Sequence, residues 1–380
     1  LNDRTAEQGV ADVLWEAEAT PVLWLQGLGD WLAYPLGAVT HLGSHAVVIV
    51  GLTLVFWCLS PGLGVRLFVV VASSSVLNYL FKSVLYGARP SWFDARIKAH
   101  VSHGSFGVPS GHAQGAMVAW GYLGLRSGRR AVLWAAAAVI ALVALSRVYL
   151  GAHFISDVLA GLLLGALVLW AALRWEERIT AWWLGLSTAR WVGCALALTL
   201  LPCVAATLWQ LLVRDGWTAP VAWTGAIPTD PAGETLTGLY TASGTLLGGL
   251  CGFTLLAGRG WYSARGTLVS RAARFVLGIS VIVLVQVVVD VLFGELSGPA
   301  ASAVAFLAYA GIAFWASYLA PEMFVRSGLA ERPGPPDPVG DSARGPVGDG
   351  DRATGDTPED ASADTSSDTS ADPSDRGERG

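Results

Sequence analysis

Charge is scarce in this chain. Of its 380 residues, 14% are Asp, Glu, Lys or Arg, while 53% are hydrophobic. Soluble domains carry roughly a quarter charged residues, so this composition excludes an ordinary water-soluble globule. Cysteine is equally sparse. Cys58, Cys194, Cys203 and Cys251 all lie in apolar runs without CxxC spacing, which excludes a disulfide framework or a thiolate metal site and leaves them as small apolar fillers. Only two lysines stand beside 22 arginines, and the net charge is −5, so no basic face for nucleic acid is expected. A positive leader is also missing. The first twenty residues set Asp3, Glu7, Asp12, Glu16 and Glu18 against Arg4, the reverse of a secretory n-region.

What fills the chain instead is apolar helix. The mean hydropathy is +0.51, and several stretches reach the roughly 20 apolar residues that a membrane crossing needs. Helices are expected near 22–40, 45–60, 66–86, 112–126, 131–149, 154–173, 191–213, 240–258, 275–293 and 299–320. The fold class is therefore an all-α polytopic membrane bundle, with six helices in a first part and about four more behind it. The first helix contains Gly27, Gly29, Asp30 and Pro35 and could be re-entrant or interfacial; "AWWLGLS" at 181–187 also fits an interface. Three parts are expected: 1–178, 179–330, and an acidic tail over 331–380 with 13 acidic and 5 basic residues, too polar to fold.

Arginines in short loops set the orientation. "RSGRR" at 126–130 and the segment 258–274 fall on one side, with Arg66, Arg174 and Arg178. That side is expected to be cytoplasmic, tail included, in a multi-pass protein of the cell membrane. Residue 86, residues 110–112 and residues 149–154 then share the opposite, extracytoplasmic face.

Three polar clusters lie at those outward ends: "KSVLYGARP" with Lys82 and Arg89, "PSGH" at 109–112, and "SRVYLGAHFISD" with Arg147, His153 and Asp157. Taken singly, each has a structural reading. Lys82 could snorkel, Arg147 could cap carbonyls, and His153 with Asp157 could be a satisfied polar pair. Together and on one face they describe an anion site. Lys82, Arg89 and Arg147 supply cations, and Ser110 and Gly111 open a helix whose free N–H groups favour phosphate. His153 and Asp157, four apart, share a helix face. If Asp157 accepts the Nδ1 proton, His153 Nε2 is left as a nucleophile, and His112 can protonate the leaving oxygen and then activate water.

In order and spacing these residues resemble the type-2 phosphatidic acid phosphatase superfamily, whose signature K-x6-RP, PSGH and SR-x5-H-x3-D is met at Lys82, Arg89, Pro90, Pro109, Ser110, Gly111, His112, Ser146, Arg147, His153 and Asp157. The resemblance covers roughly residues 20–178. It implies a phosphohistidine intermediate on His153 and no metal cofactor, in line with three cations and no carboxylate cluster suited to magnesium. The expected activity is hydrolysis of a lipid phosphate or diphosphate, phosphatidate-like or polyprenyl, with membrane lipids as surroundings. The family also includes vanadate-dependent haloperoxidases; those are soluble, unlike this chain. Rival readings are phosphotransfer to a second alcohol at the same site, or a transporter or binding protein without turnover.

His100 and His103 with His112 raise a zinc reading, but their spacing fits no common zinc pattern, and a loop lining the substrate entrance is expected instead. The loop 214–239 is expected to face outward and is a candidate cover for the site. Gln286 and Asp290 lie four apart on one apolar helix; Asp290, near the expected outer end, is expected to make an interhelical hydrogen bond or to sit at a hydrated terminus.

Overall fold

The structure is a computed structural model that describes residues 10–221 and 223–332. Among the described residues thirteen α-helices follow one another: α1 (Val10–Gln26), α2 (Ala33–Thr40), α3 (His45–Leu54), α4 (Pro61–Leu85), α5 (Pro90–Phe93), α6 (Gly111–Arg126), α7 (Arg130–Tyr149), α8 (Ile155–Leu184), α9 (Thr188–Leu212), α10 (Pro231–Gly258), α11 (Leu268–Phe293), α12 (Gly298–Phe314) and α13 (Ala320–Arg326). Among the described residues the only β pairing is one isolated bridge, Ser263 to Glu331. Within the described residues seven helical segments are long and apolar enough to span a membrane, eight if a bent pair counts as one. The protein is thus an all-α polytopic bundle, with four spans (α9, α10, α11 and α12–α13) following the first part. Most of the acidic tail, 333–380, lies outside the described residues.

The expected helix at 22–40 does not form as one rod. α1 starts earlier and stops at Gln26; Gly27 and Gly29 follow, and Gly29 has φ 120, closed to most side chains. After a turn at Asp30–Leu32 come α2, then α3, which ends in a π turn at Val55–Leu59. Asp30–Gly43 and Ala46–Leu59 make the bent pair, 48° apart. The two first expected spans are therefore halves of one broken element. Elsewhere the helices begin where capping residues place them. Ser60 accepts from Leu63 N ahead of Pro61, and Asp230 accepts from Gly233 N ahead of Pro231, so α10 begins nine residues before the expected 240. α8 runs unbroken to Leu184 and takes in most of the segment read as interfacial.

Small residues set the packing, as in other helix bundles in lipid. A Cβ on Gly244 or Gly248 of α10 would come within 2.2 or 2.1 Å of the carbonyl oxygens of Phe306 and Ala310 on α12. A Cβ on Gly161 of α8 would sit 2.5 Å from the Ser110 carbonyl oxygen, so α8 and the start of α6 touch backbone to backbone. By chain alternation, the C-terminal ends of α4 and α7 and the N-terminal ends of α6 and α8 meet at one end of the bundle. An aromatic cluster covers that end: Trp15 of α1 stacks on Phe154 at 6.0 Å and meets Trp223 edge-on, while Tyr86 lies 4.3 Å from Phe106. The loop between α9 and α10 closes over this cluster, its Gly225 and Thr224 N–H groups donating to the carbonyls of Trp92 and Phe93.

Candidate active site

Each of the three motifs lies at a helix terminus on this face: the first runs past the end of α4, the second opens α6, and the third joins the end of α7 to the start of α8. The backbone at Tyr86 turns left-handed (φ 54), which stops α4 and sends residues 87–89 back across the bundle. Lys82, 3% exposed, donates to Gly107 O at 2.8 Å and to Phe106 O. Arg89 is equally buried. Its Nε donates to Ser105 O at 2.7 Å, its Nη2 to Phe106 O and Ser105 Oγ, and its Nη1 to Ala152 O at 2.9 Å. The loop 105–107 is thus bound to both cations, and its carbonyls hold them in place.

Arg89 Nη1 also lies 3.3 Å from His153 Nε2, while His153 Nδ1 lies 3.3 Å from Asp157 Oδ2. A guanidinium can only donate, so Nε2 must accept, and the ring proton belongs on Nδ1 facing the carboxylate. Asp157 Oδ2 is itself held by Phe154 N at 3.1 Å, the cap of α8. Burial, then the charges of Arg89, Arg147 and Lys82, hold the His153 pKa well below its ordinary 6.5. The imidazole is neutral with its lone pair on Nε2.

These groups border a cavity of about 150 Å³ lined by Lys82, Arg89, His103, Gly111, His112 and His153. Its inner wall continues along α4 and α6 to Asn78, Ser74 and Gln114. From Lys82 to Ser74 is eight helical residues, roughly 12 Å. Among the described residues no group of three or more His, Cys, Asp or Glu is arranged to hold a metal ion.

Of the residues singled out in the sequence, Lys82, Arg89, Gly111, His112 and His153 share the cavity wall. Three stand behind it. Asp157 is wholly buried under His153, with Oδ1 unpartnered. Ser110 is 0% exposed; its N–H donates to Asp157 O, and its hydroxyl has no partner. Arg147 is not on the wall. Its Nη1 donates to Thr40 Oγ1 at 2.9 Å and its Nη2 to His103 Nε2 at 2.6 Å, so it reaches the cavity through His103, which does line it. Gln286 and Asp290 pair within α11, exposed and far along the chain from this cluster.

Sequence reasoning passed over Thr40, Asn78, Ser105 and Gln114. Ser105 and Thr40 carry no signal beyond being polar. Asn78 and Gln114 do carry one: each is an amide inside an apolar membrane-length run, where a polar side chain is costly unless it has work.

The PAP2 superfamily profile matches residues 63–181, and the profile described as "PAP2 superfamily phosphatase, transmembrane extension" matches residues 240–332. Phosphatidylglycerophosphatase B of Bacillus subtilis (strain 168) is 31% identical over 163 residues, covering 39% of this chain and 77% of the relative. A crystal structure of the first transmembrane PAP2-type phosphatidylglycerolphosphate phosphatase from Bacillus subtilis shares 26% identity over 46% of this chain and 90% of that one, with a TM-score of 0.39. The extension match reaches past the motifs, into helices whose apolar sequence bears no polar signature. With the signature intact and five of its residues on the wall of one cavity, this chain belongs to the PAP2 superfamily as an integral membrane lipid phosphatase.

Proposed function

We propose that the chain hydrolyses a lipid phosphate or diphosphate, without a metal cofactor, through a phosphohistidine on His153. The observation that carries this reading is the pair of contacts on one imidazole: Arg89 Nη1 at Nε2 and Asp157 Oδ2 at Nδ1, each at 3.3 Å. The site residues take roles accordingly. His153 Nε2 attacks phosphorus. His112, protonated at the start, gives its proton to the leaving oxygen, and the alcohol departs. The product is a phosphorylated imidazolium whose charge Asp157 offsets. Water then attacks phosphorus, the P–Nε2 bond breaks, and His112 regains a proton, so the cycle closes.

Lys82, Arg89, the Gly111 N–H and the Ser110–Gly111 helix start provide positive potential for the phosphoryl oxygens, with Arg147 supporting it behind His103. All five N–H groups of Arg89 have partners within the protein. When Nε2 becomes bonded to phosphorus, the Nη1 hydrogen it held is released beside a phosphoryl oxygen. Charge neutralisation by these cations is the reason no metal is invoked. The likeness to a phosphatidylglycerophosphatase favours a glycerophospholipid monophosphate; a site near the headgroups on the arginine-poor face, as the sequence leads us to expect, would admit a polyprenyl diphosphate as well. Residues 1–178 carry this chemistry, and 179–330 buttress it.

The test is phosphate release by the purified chain from lipid monophosphates, lipid diphosphates and water-soluble esters with EDTA present, followed by acid-quench capture of labelled protein. Turnover of lipid substrates in EDTA, and an acid-labile phosphoprotein absent from His153→Ala, are expected. Labelling that survives His153→Ala, or turnover that EDTA abolishes, would sink the mechanism.

A further inference from the structure

Asn78 stands one helical turn before Lys82, 4% exposed and on the cavity wall. Its amide has only one possible orientation. Gln114 Nε2 donates to the Ser74 carbonyl at 2.8 Å and to Ser74 Oγ at 2.8 Å. A carbonyl only accepts, so the Gln114 amide nitrogen must face Ser74 and its Oε1 must face Asn78. Asn78 Nδ2 then donates to Gln114 Oε1 at 2.7 Å and, with its second hydrogen, to the Pro109 carbonyl at 3.2 Å. Both backbone carbonyls fix the chain, so the amide oxygen and nitrogen are assigned by hydrogen bonding alone. Asn78 Oδ1 is left pointing at Gly111, 3.1 Å from where a Cβ on that residue would be.

An acceptor-only oxygen is therefore placed beside the opening of α6, on the cavity wall it shares with Lys82 and Arg89. It repels phosphoryl oxygens, so of the groups the reaction brings into the cavity it can bind only one that carries an O–H. In an in-line displacement the leaving oxygen and the attacking water occupy the same apical position, opposite the nucleophile. The proposed reaction already gives one hydrogen of that water to His112, the residue next to Gly111. The second hydrogen needs an acceptor, or the water is free to turn its lone pairs away from phosphorus.

We infer that Asn78 is a catalytic residue of the second half-reaction: its Oδ1 holds the second hydrogen of the hydrolytic water and aims the oxygen at the phosphohistidine. In that step the water O–P bond forms, the P–Nε2 bond breaks, one water proton passes to His112, and the other stays on the product phosphate, next to Asn78. Ser74 and Gln114 act through Asn78 as positioning residues. The inference rests on the phosphohistidine reading above.

An alcohol has one hydroxyl hydrogen, which goes to His112, and so has none to give Asn78. That difference supplies the experiment. The full chain in detergent micelles is given a labelled lipid monophosphate in the presence of methanol, and methyl phosphate, inorganic phosphate and acid-labile phosphoprotein are counted for the parent, Asn78→Leu and Asn78→Ala. Loss of one neutral hydrogen bond to the water should raise the methyl phosphate to phosphate ratio about tenfold in both variants. Phosphoprotein should accumulate, while first-turnover release of the lipid alcohol is little changed. The ratio comes from active molecules alone, so partial misfolding of a variant does not alter it. An unchanged ratio with an unchanged phosphoprotein level overturns the role of Asn78. Absence of both phosphoprotein and methyl phosphate in the parent chain instead strikes the phosphohistidine reading, and the Asn78 role with it.

Discussion

His153 is held by opposing demands. Asp157 beneath it favours a protonated ring, while burial and three neighbouring cations disfavour one, and the cations with burial win: the pKa lies well below 6.5. The sign follows directly. A depressed pKa means the ring stays neutral as pH falls through 6.5 and gains a proton only further down. The nucleophilic lone pair therefore survives mild acid. Histidine-labelled protein has six imidazoles to follow by NMR in micelles. One of them should keep the signature of a neutral ring with Nδ1 protonated well below pH 6.5, and it should disappear in His153→Gln. If every imidazole titrates near 6.5, the burial and charge argument fails, and with it the reason for a ring that stays neutral in mild acid.

At the level of elements, the site depends on how closely helix ends can approach. α1 is a strap across them. Glu18 accepts from Ser156 N and Oγ at the start of α8, and Gln26 Nε2 donates to Tyr149 O at the end of α7 and to Lys98 O in the loop between. On the other flank Gly161 lets α8 rest on the Ser110 carbonyl, which fixes the Asp157–Ser110 backbone bond of 2.9 Å. Gly161→Ala tests this packing. Helix propensity alone would stabilise the change by about 1 kcal/mol. The contact, 2.5 Å from a backbone oxygen, cannot relax at a side-chain tip, so a net loss of about 1–3 kcal/mol is expected. Thermal unfolding and phosphate release should both drop. Gly193→Ala on α9, with nothing within 4 Å, is the control and should be neutral or stabilising.

The same comparison shows what the sequence could reveal at this level. Long apolar periodic runs such as α7 and α11 were readable because lipid demands them. The break at Gly27–Gly29 was visible as a doubt about 22–40, but the strap formed by α1 was not, because its role depends on partners more than 70 residues away. The eleven signature residues were readable, since spacing fixes which of them end helices. Arg147's partners Thr40 and His103, and the Ser74–Gln114–Asn78 chain, arise only when separate helices meet.

Over the whole molecule the charges sort by bundle end. α4 and α7 finish where α6, α8, α10 and α12 begin, so the cavity and the 213–230 loop share one end. The other end collects arginines and turns them to structural use. Glu176, 8% exposed, meets Arg66 and Arg126 and accepts from Tyr122 Oη at 2.7 Å, while Arg274, wholly buried, donates to the carbonyls of Trp57 and Ala264. Such a surplus of arginine marks the side retained in the cytoplasm, which is why an extracytoplasmic site is proposed. Single cysteines on opposite ends decide it, in a background with Cys58, Cys194, Cys203 and Cys251 replaced. Thr218 and Arg129 are both exposed, the first in the loop over the site and the second in the turn between α6 and α7. Thr218→Cys should react with a membrane-impermeant maleimide in intact cells, and Arg129→Cys only after the membrane is opened. The reverse pattern would place the cavity against the cytoplasm. Substrates would then be lipids of the inner leaflet, and the case for an outward-facing polyprenyl diphosphate would be lost, while the chemistry at His153 would stand, because the geometry of the cavity does not depend on which way the bundle is inserted.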